Sequence, residues 1–373
     1  MKNLSKLVFV LLTLPLFMYA GNGNPNPTRS TIKVALLLDT SNSMDGLINQ
    51  AKSQLWDIVN ELSYARCENE HPDLQIALYE YGNDNLSARE GYIRQVTGFT
   101  SDLDVLSEKL FSLTTNGGSE FCGEVLLTSL KQLEWGNNRN DLKLIFIAGN
   151  EPFTQGKINY RDATAQANEQ DVVVNTIFCG NYQDGIYGKW QDGAYLTHGD
   201  YMAIDHNEAI VHIASPYDDV IIQLNSQLND TYIYYGAQGY NKMQLQAAQD
   251  KNAEALDEEV IVKRAVSKSS RIYKNSSWDL VDASDDKDFR YDKLDKKSLP
   301  TELQSKNTEA IREYVTAKKA KRAEIQKRIN DLNKLRDAYV TKKKQENNTN
   351  SNGLDSAMIK AIKKQAKTKN YIW

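Results

Sequence analysis

The sequence predicts an α/β fold: a doubly wound, mostly parallel central sheet flanked by helices, followed by a C-terminal α-helical extension. Three observations predict it. Residues 32–38 (IKVALLL), 142–148 (LKLIFIA) and 172–178 (VVVNTIF) are short, nearly all-apolar runs, as expected of strands buried on both faces. Between them, apolar residues recur at helical spacing, as in Leu47, Ile48, Ala51, Leu55, Ile58, Val59 and Leu62. Regular alternation of the two patterns marks parallel strands joined by crossover helices.

The remaining elements follow in order. Residues 74–82 read as a second strand, and 92–99 alternate as an antiparallel edge strand would. Asp102 is placed to cap a helix whose apolar face is Leu103, Leu106, Leu110 and Leu113. Further helices are expected over 123–135, up to about Gln170, and over 216–228, with a short strand at 201–205. From 236 to 299 the pattern weakens to a mixed connector, with a helix near 243–255, a strand over 260–266 and a charged loop over 282–295. Residues 301–345 form one helical pattern without Gly or Pro. Ile311, Lys318, Ile325, Leu332 and Tyr339 share one heptad position, and Val315, Arg322, Ile329 and Arg336 the other, giving an interrupted coiled-coil seam. A polar break at 347–353 precedes a short basic helix over 354–369.

The N-terminal residues read as a targeting segment. Lys2 and Lys6 precede an apolar run over 7–17, with cleavage expected after Ala20; an uncleaved membrane anchor is the alternative. No later stretch is apolar for eighteen residues, so no transmembrane segment is expected after cleavage. The domain reading is therefore 1–20 signal peptide, 21–30 polar linker, 31–235 α/β domain, 236–299 connector and 300–373 basic tail. Charge is unevenly spread: 21–299 carry 25 Lys/Arg against 41 Asp/Glu, and 300–373 carry 18 against 8. A basic tail on an acidic body invites contact between the two, or with an anionic partner.

The loop after the first strand carries the chemistry. Asp39, Ser41 and Ser43 alternate in Asp39-Thr40-Ser41-Asn42-Ser43, offering one carboxylate and two hydroxyls. These are hard oxygen ligands suited to Mg²⁺, with Mn²⁺ or Ca²⁺ as alternatives. Ligands of doubly wound sheets sit at the carboxyl ends of the strands, where this loop falls. Followed by Met44, Gly46 and a long amphipathic helix, the motif resembles the metal-ion-dependent adhesion site (MIDAS) of von Willebrand factor A (vWA) domains, here of an exported bacterial type. The resemblance covers roughly residues 31–235. It implies a second metal loop at Gly117-Gly118-Ser119, where Ser119 stands in for the family's threonine and Glu120 lies beside it. The third loop departs: the family's Thr-Asp-Gly-Glu-Pro reads Ala148-Gly149-Asn150-Glu151-Pro152, with Gly149 in place of the aspartate and Asn150 or Glu151 as candidate substitutes.

Three cysteines in an exported chain allow one disulfide. Cys122 and Cys179 both fall at the metal edge of the expected sheet and Cys67 at the opposite edge. Cys122–Cys179 is the expected bridge, since a disulfide needs Cα atoms within about 7 Å; three reduced structural cysteines are the alternative. The histidines His71, His198, His206 and His212 show no zinc spacing, no phosphate-cradling glycine loop is present, and Asp218-Asp219 reads as a helix N-terminus. No enzyme is expected. Nucleic-acid binding by the basic tail is not expected, because stacking aromatics are sparse there. The resemblance implies a periplasmic or secreted adhesion-type module engaging a protein carboxylate through the cation. The alternative is a metal-independent envelope scaffold self-associating through 301–345.

Overall fold

The computed structural model describes residues 29–205, 212–346 and 354–373. The expected signal peptide, most of the linker, the polar break and His206 lie outside the described residues. The first half of the chain folds as β1 (Thr31–Asp39), α1 (Asp45–Ser63), β2 (Arg66–Cys67), β3 (Asp73–Tyr81), β4 (Ile93–Thr100), α2 (Leu103–Phe111), α3 (Cys122–Gln132), β5 (Leu142–Gly149), α4 (Tyr160–Glu169) and β6 (Val173–Cys179). It continues through α5 (Tyr182–Tyr187), α6 (Trp190–Tyr195), β7 (Tyr201–Ile204), α7 (Asp218–Asn229), α8 (Gly239–Leu256), α9 (Glu258–Lys268) and α10 (Leu280–Ala283). The tail contains α11 (Thr301–Gln304), α12 (Thr308–Glu346), α13 (Leu354–Lys367) and β8 (Tyr371–Ile372).

Six strands form one sheet in the order β4-β3-β1-β5-β6-β7, all parallel except the edge strand β4. Strand alternation divides two cores. Val34, Leu36 and Leu38 point into one, with α1, α2, α7, α9 and α13; Ala35 and Leu37 point into the other, with α3, α4 and α6. Each fully buried Leu or Ile contributes about 1.5–3 kcal/mol, so a central strand buried on both faces anchors the domain.

The stretch expected as a strand over 260–266 is helical. Asp257 accepts the Glu259 N–H (2.7 Å), and Glu258 and Glu259 supply first-turn acids, so the cap outweighs the β-branched valines and isoleucine. The short helices α5 and α6 escaped the sequence reading because each is six residues long and contains a glycine.

The expected Cys122–Cys179 disulfide is absent: all three cysteines are free and buried. Both residues lie at the carboxyl edge, but on opposite faces of the sheet. Cys122 belongs to the core under α3, and the Cys179 side chain, from the end of β6, to the core under α1 on the other face. Denatured without reductant, the protein is expected to titrate three thiols with a thiol reagent; a single thiol would indicate a bridge.

The heptad seam of α12 is spent within the chain. Ile311, Val315, Arg322, Ile325, Ile329 and Arg336 are buried, and α12 packs on α7, α9 and α10. The two arginines that interrupt the seam dock it. The Arg322 guanidinium reaches Asp279 (2.6 Å) and Asp282 (2.8 Å) over the Tyr232 ring, and Arg336 donates to Asp218 (2.8 Å). Past it, α13 lies against α1, where Met358, Ala361, Ile362 and Ala366 enter the same core. Lys363 pairs with Glu61, Lys364 with Asp200 and Lys369 with Asp171, so part of the tail's positive charge neutralises the acidic body. No helix among the described residues is long and apolar enough to cross a membrane.

Candidate functional site

Asp39 ends β1 at the carboxyl edge, in register with Tyr81 of β3, while Leu38 pairs with Ala148 of β5. The loop after it is folded back on itself: the Ser41 N–H donates to Asp39 Oδ1 (2.7 Å). Thr40 is buried, its N–H donates to the Tyr81 carbonyl (2.9 Å), and its own carbonyl accepts from the Asn116 N–H (3.0 Å). That last bond lashes the first loop to the second.

The second loop delivers Glu120 to the site. Glu120 is 4% exposed and interacts directly with both Asp39, which is fully buried, and Ser41. Gly82 makes room: at φ +77°, a Cβ there would meet Glu120 Cγ at 2.7 Å and Asp39 Oδ1 at 2.8 Å. Ser119, the expected ligand before it, is half-buried, and Glu120 contacts Asp39 directly. The Glu151 N–H donates to Glu120 and the Glu151 carbonyl accepts from Trp190 Nε1 (2.8 Å); its exposed side chain is not drawn into the cluster. Asn150 does join it: its Nδ2 donates to Ser43 Oγ (3.0 Å), at the exposed rim.

Gly149 is forced by its neighbours. A Cβ there would stand 2.5 Å from Tyr81 Oη, 3.2 Å from Asp39 Oδ2 and 3.2 Å from the Trp190 ring. The Tyr81 hydroxyl, donating to the Ala148 carbonyl (2.9 Å), fills the space that a side chain at 149 needs. A tyrosine ending an apolar strand and a glutamate wedged before Phe121-Cys122 were the sequence signals of this exchange.

The cluster is short of hydrogen. Asp39 Oδ2, Ser41 Oγ, Glu120 Oε2 and Asn150 Oδ1 are buried with no hydrogen-bond partner. Burial, and then the adjacent Glu120, push the Asp39 carboxyl well above the usual carboxylate range; burial also raises Glu120. Two acceptor-only carboxylates in contact need a proton or a cation between them. Hard oxygens in this number fit a divalent cation such as Mg²⁺, and suit soft metals poorly.

A second group among the described residues, His212, Asp257 and Glu259, brings ligand atoms within 4.8 Å of one another. Its charge is already met: Glu259 pairs with Lys263 (2.9 Å) and faces Arg336 (3.6 Å), and His212 Nδ1 lies 3.1 Å from Glu259. It joins α12 to α9. His212 is thus engaged on the tail side. Burial pushes the Cys122 and Cys179 thiols well up, away from the reactive thiolate.

These features define a doubly wound α/β domain with an oxygen-rich site at the carboxyl edge of its central strand. Residues 33–186 match the family model of the von Willebrand factor type A domain. No curated protein matches the sequence. Solved structures that match the chain include three at low identity. Proximal thread matrix protein 1 from the mussel byssus is 12% identical over 47% of this chain and 42% of that one, with a TM-score of 0.36. BatB from Bacteroides thetaiotaomicron is 16% identical over 47% and 90%, with a TM-score of 0.36. The VWA domain of SpRpn10 is 13% identical over 49% and 100%, with a TM-score of 0.37. The chain thus spans less than half of the mussel protein.

Proposed function

We propose that the protein is an exported, periplasmic or secreted binding module that captures a protein ligand by a carboxylate through a divalent cation, with Mg²⁺ first. Asp39, Ser41, Ser43 and Glu120 hold the ion, and Asn150 braces its rim. The observation that carries this reading is the pair of buried carboxylates, Asp39 and Glu120, in contact with each other and with Ser41, each with one oxygen that has no hydrogen-bond partner. Each such oxygen costs about 1–3 kcal/mol, and one cation held by Asp39, Ser41 and Glu120 would resolve the three on those residues. When bound, the cation supplies a Lewis-acidic centre with positions open to an outside oxygen ligand. Asp39 and Glu120 balance its charge. The exposed Ser43 side leaves the approach open. The raised, shielded thiols and the engaged His212 support binding over catalysis, so the protein is proposed not to be an enzyme. The buried seam of α12 favours a tail that braces the body over one that self-associates.

The test is calorimetry with Mg²⁺, Mn²⁺ and Ca²⁺ on the mature protein and on Asp39→Ala, followed by affinity capture with and without chelator. The wild type is expected to bind the ion and the variant to lose it, with capture lost in both the variant and the chelated protein. Capture that survives chelator and Asp39→Ala sinks the reading.

A further inference from the structure

An open groove of about 320 Å³ adjoins the site. It lies between the β3–β4 connection, α3 and the loop entering α4. Phe121, Leu127 and Ile158 give it apolar walls, and Arg89, Lys131 and Lys157 stand at its rim. The groove and the ion site share backbone. Glu120 turns into the cluster with Asp39 while the next residue, Phe121, turns into the groove. The Gly82 N–H, beside Glu120, donates to the Tyr92 carbonyl (3.0 Å), and the Tyr92 ring meets Phe121 edge-on with centroids 6.0 Å apart.

The charge at this groove is unusual for the molecule. Residues 21–299 are strongly acidic. Yet Arg89, Lys131 and Lys157 are exposed and form no ion pair among the described residues, although many of the chain's other cations do. Two carboxylates also line the groove. Glu124 Oε1 accepts the Lys157 N–H (2.6 Å) and the Ile158 N–H (3.1 Å), while its Oε2 is buried without a partner, so its charge counts against one of the three cations. Glu90 stays at the exposed rim. The cations therefore keep a net positive field over an apolar floor. Adjacent Cα atoms are about 3.8 Å apart, so the two subsites lie within a few residues of an extended ligand chain.

We propose that this groove binds an extended acidic peptide segment of the partner, seating an apolar side chain against Phe121, Leu127 and Ile158 and a second carboxylate among Arg89, Lys131 and Lys157. The inference rests on the cation-bridged reading above, because the segment's first carboxylate is the one brought to the Asp39 site. It names the partner's chemistry: an apolar residue flanked by two acids, in a stretch free to extend. Charge complementarity selects that segment over a basic or neutral one.

The test uses three fluorescent nonapeptides in a Gly/Ser background, titrated by polarisation with excess Mg²⁺. One carries a single Asp, the second adds Leu two residues away, and the third adds a further Glu beyond the Leu. The third is expected to bind the wild type at least about tenfold more tightly than the first. That advantage is expected to vanish in the double variant Lys131→Glu/Lys157→Glu, and the Leu increment alone in Phe121→Ala. Mg²⁺ calorimetry and melting of the charge-reversed protein check that the fold and ion site are intact. Equal binding of all three peptides, or an advantage untouched by charge reversal, overturns the groove. If single-Asp binding still needs Mg²⁺ in that case, the cation reading stands alone. An advantage that persists in Asp39→Ala or chelator, but is lost on charge reversal, upholds the groove and overturns the cation reading. Failure of all three peptides to bind overturns both.

Discussion

Asp250→Asn is expected to destabilise the protein by about 3–5 kcal/mol, because it leaves buried cations without their counter-charge. Asp250 is the hub of a network in which four donors converge through five contacts. Its Oδ1 accepts from Arg264 Nε (2.6 Å), and its Oδ2 from Lys268 (2.8 Å), Asn225 (3.0 Å) and Asn229 (2.7 Å), with a further Lys268 contact to Oδ1 at 3.2 Å. Arg264 and Lys268 are fully buried, and the Arg264 guanidinium also lies over Trp56 of α1 and bonds Asp104 of α2 (2.8 Å). The network therefore ties α7, α8 and α9 to the first helices packed on the central sheet. An asparagine amide would turn an NH₂ toward donors, so shape is kept and complementarity lost. Burial alone opposes the Asp250 charge, but Lys268 and Arg264 more than offset it and hold the carboxyl well below the usual range. Its folded pKa is thus depressed below the unfolded value of about 3.9, so its contribution is complete above that pH and is lost as pH falls below it. Chemical denaturation of wild type and variant at pH 7 and at pH 3 measures both points. The gap is expected to be large at pH 7 and to shrink at pH 3; a gap under about 1 kcal/mol at pH 7 contradicts the argument, being the scale of an ordinary substitution.

Glu120→Gln is expected to weaken Mg²⁺ binding by about 100-fold or more, since it removes one of two carboxylates from an oxygen-ligand site. The same change relieves the contact between two buried acceptors, so the ion-free variant is expected to melt at or above the wild-type temperature. Loss of binding with gain of stability separates a ligand from a structural residue. Restoring the family's aspartate is not expected to rescue the variant. A side chain at 149 meets Tyr81 Oη first, so Gly149→Asp/Glu120→Gln is expected to fold poorly and bind no better. Calorimetry and melting curves with and without Mg²⁺ test both statements. Wild-type affinity in Glu120→Gln assigns the site to other residues.

Much of this was legible beforehand, and the misses have physical causes. The buried strands announced themselves because a strand covered on both faces must be apolar throughout. The loop at Asp39 was legible because its alternating oxygens follow such a strand directly. Glu120 stood out less than Ser119, since its placement depends on the space at Gly82, far away in sequence. Cys122 and Cys179 were correctly put at one edge of the sheet; which face each occupies is decided by strand alternation and helix packing. The heptads of α12 identified a buried stripe, but a stripe is the same whether a second copy or the chain's own body covers it. Arg322 and Arg336 were the discriminating residues, because a guanidinium in a seam demands a carboxylate opposite, and Asp279 and Asp218 supply it.

The placement of α13 bears on how the chain reaches its native state. The helix covers the apolar flank of α1, which was made roughly 300 residues earlier, and β8 then pairs with β2 directly after α1. Contacts of such sequence separation form slowly, because a long loop must close before any of them is gained. While it is being synthesised, the chain holds an open, incompletely covered α1 flank. A protein whose closure waits on its distal residues leaves that apolar flank open to non-native contacts until they arrive.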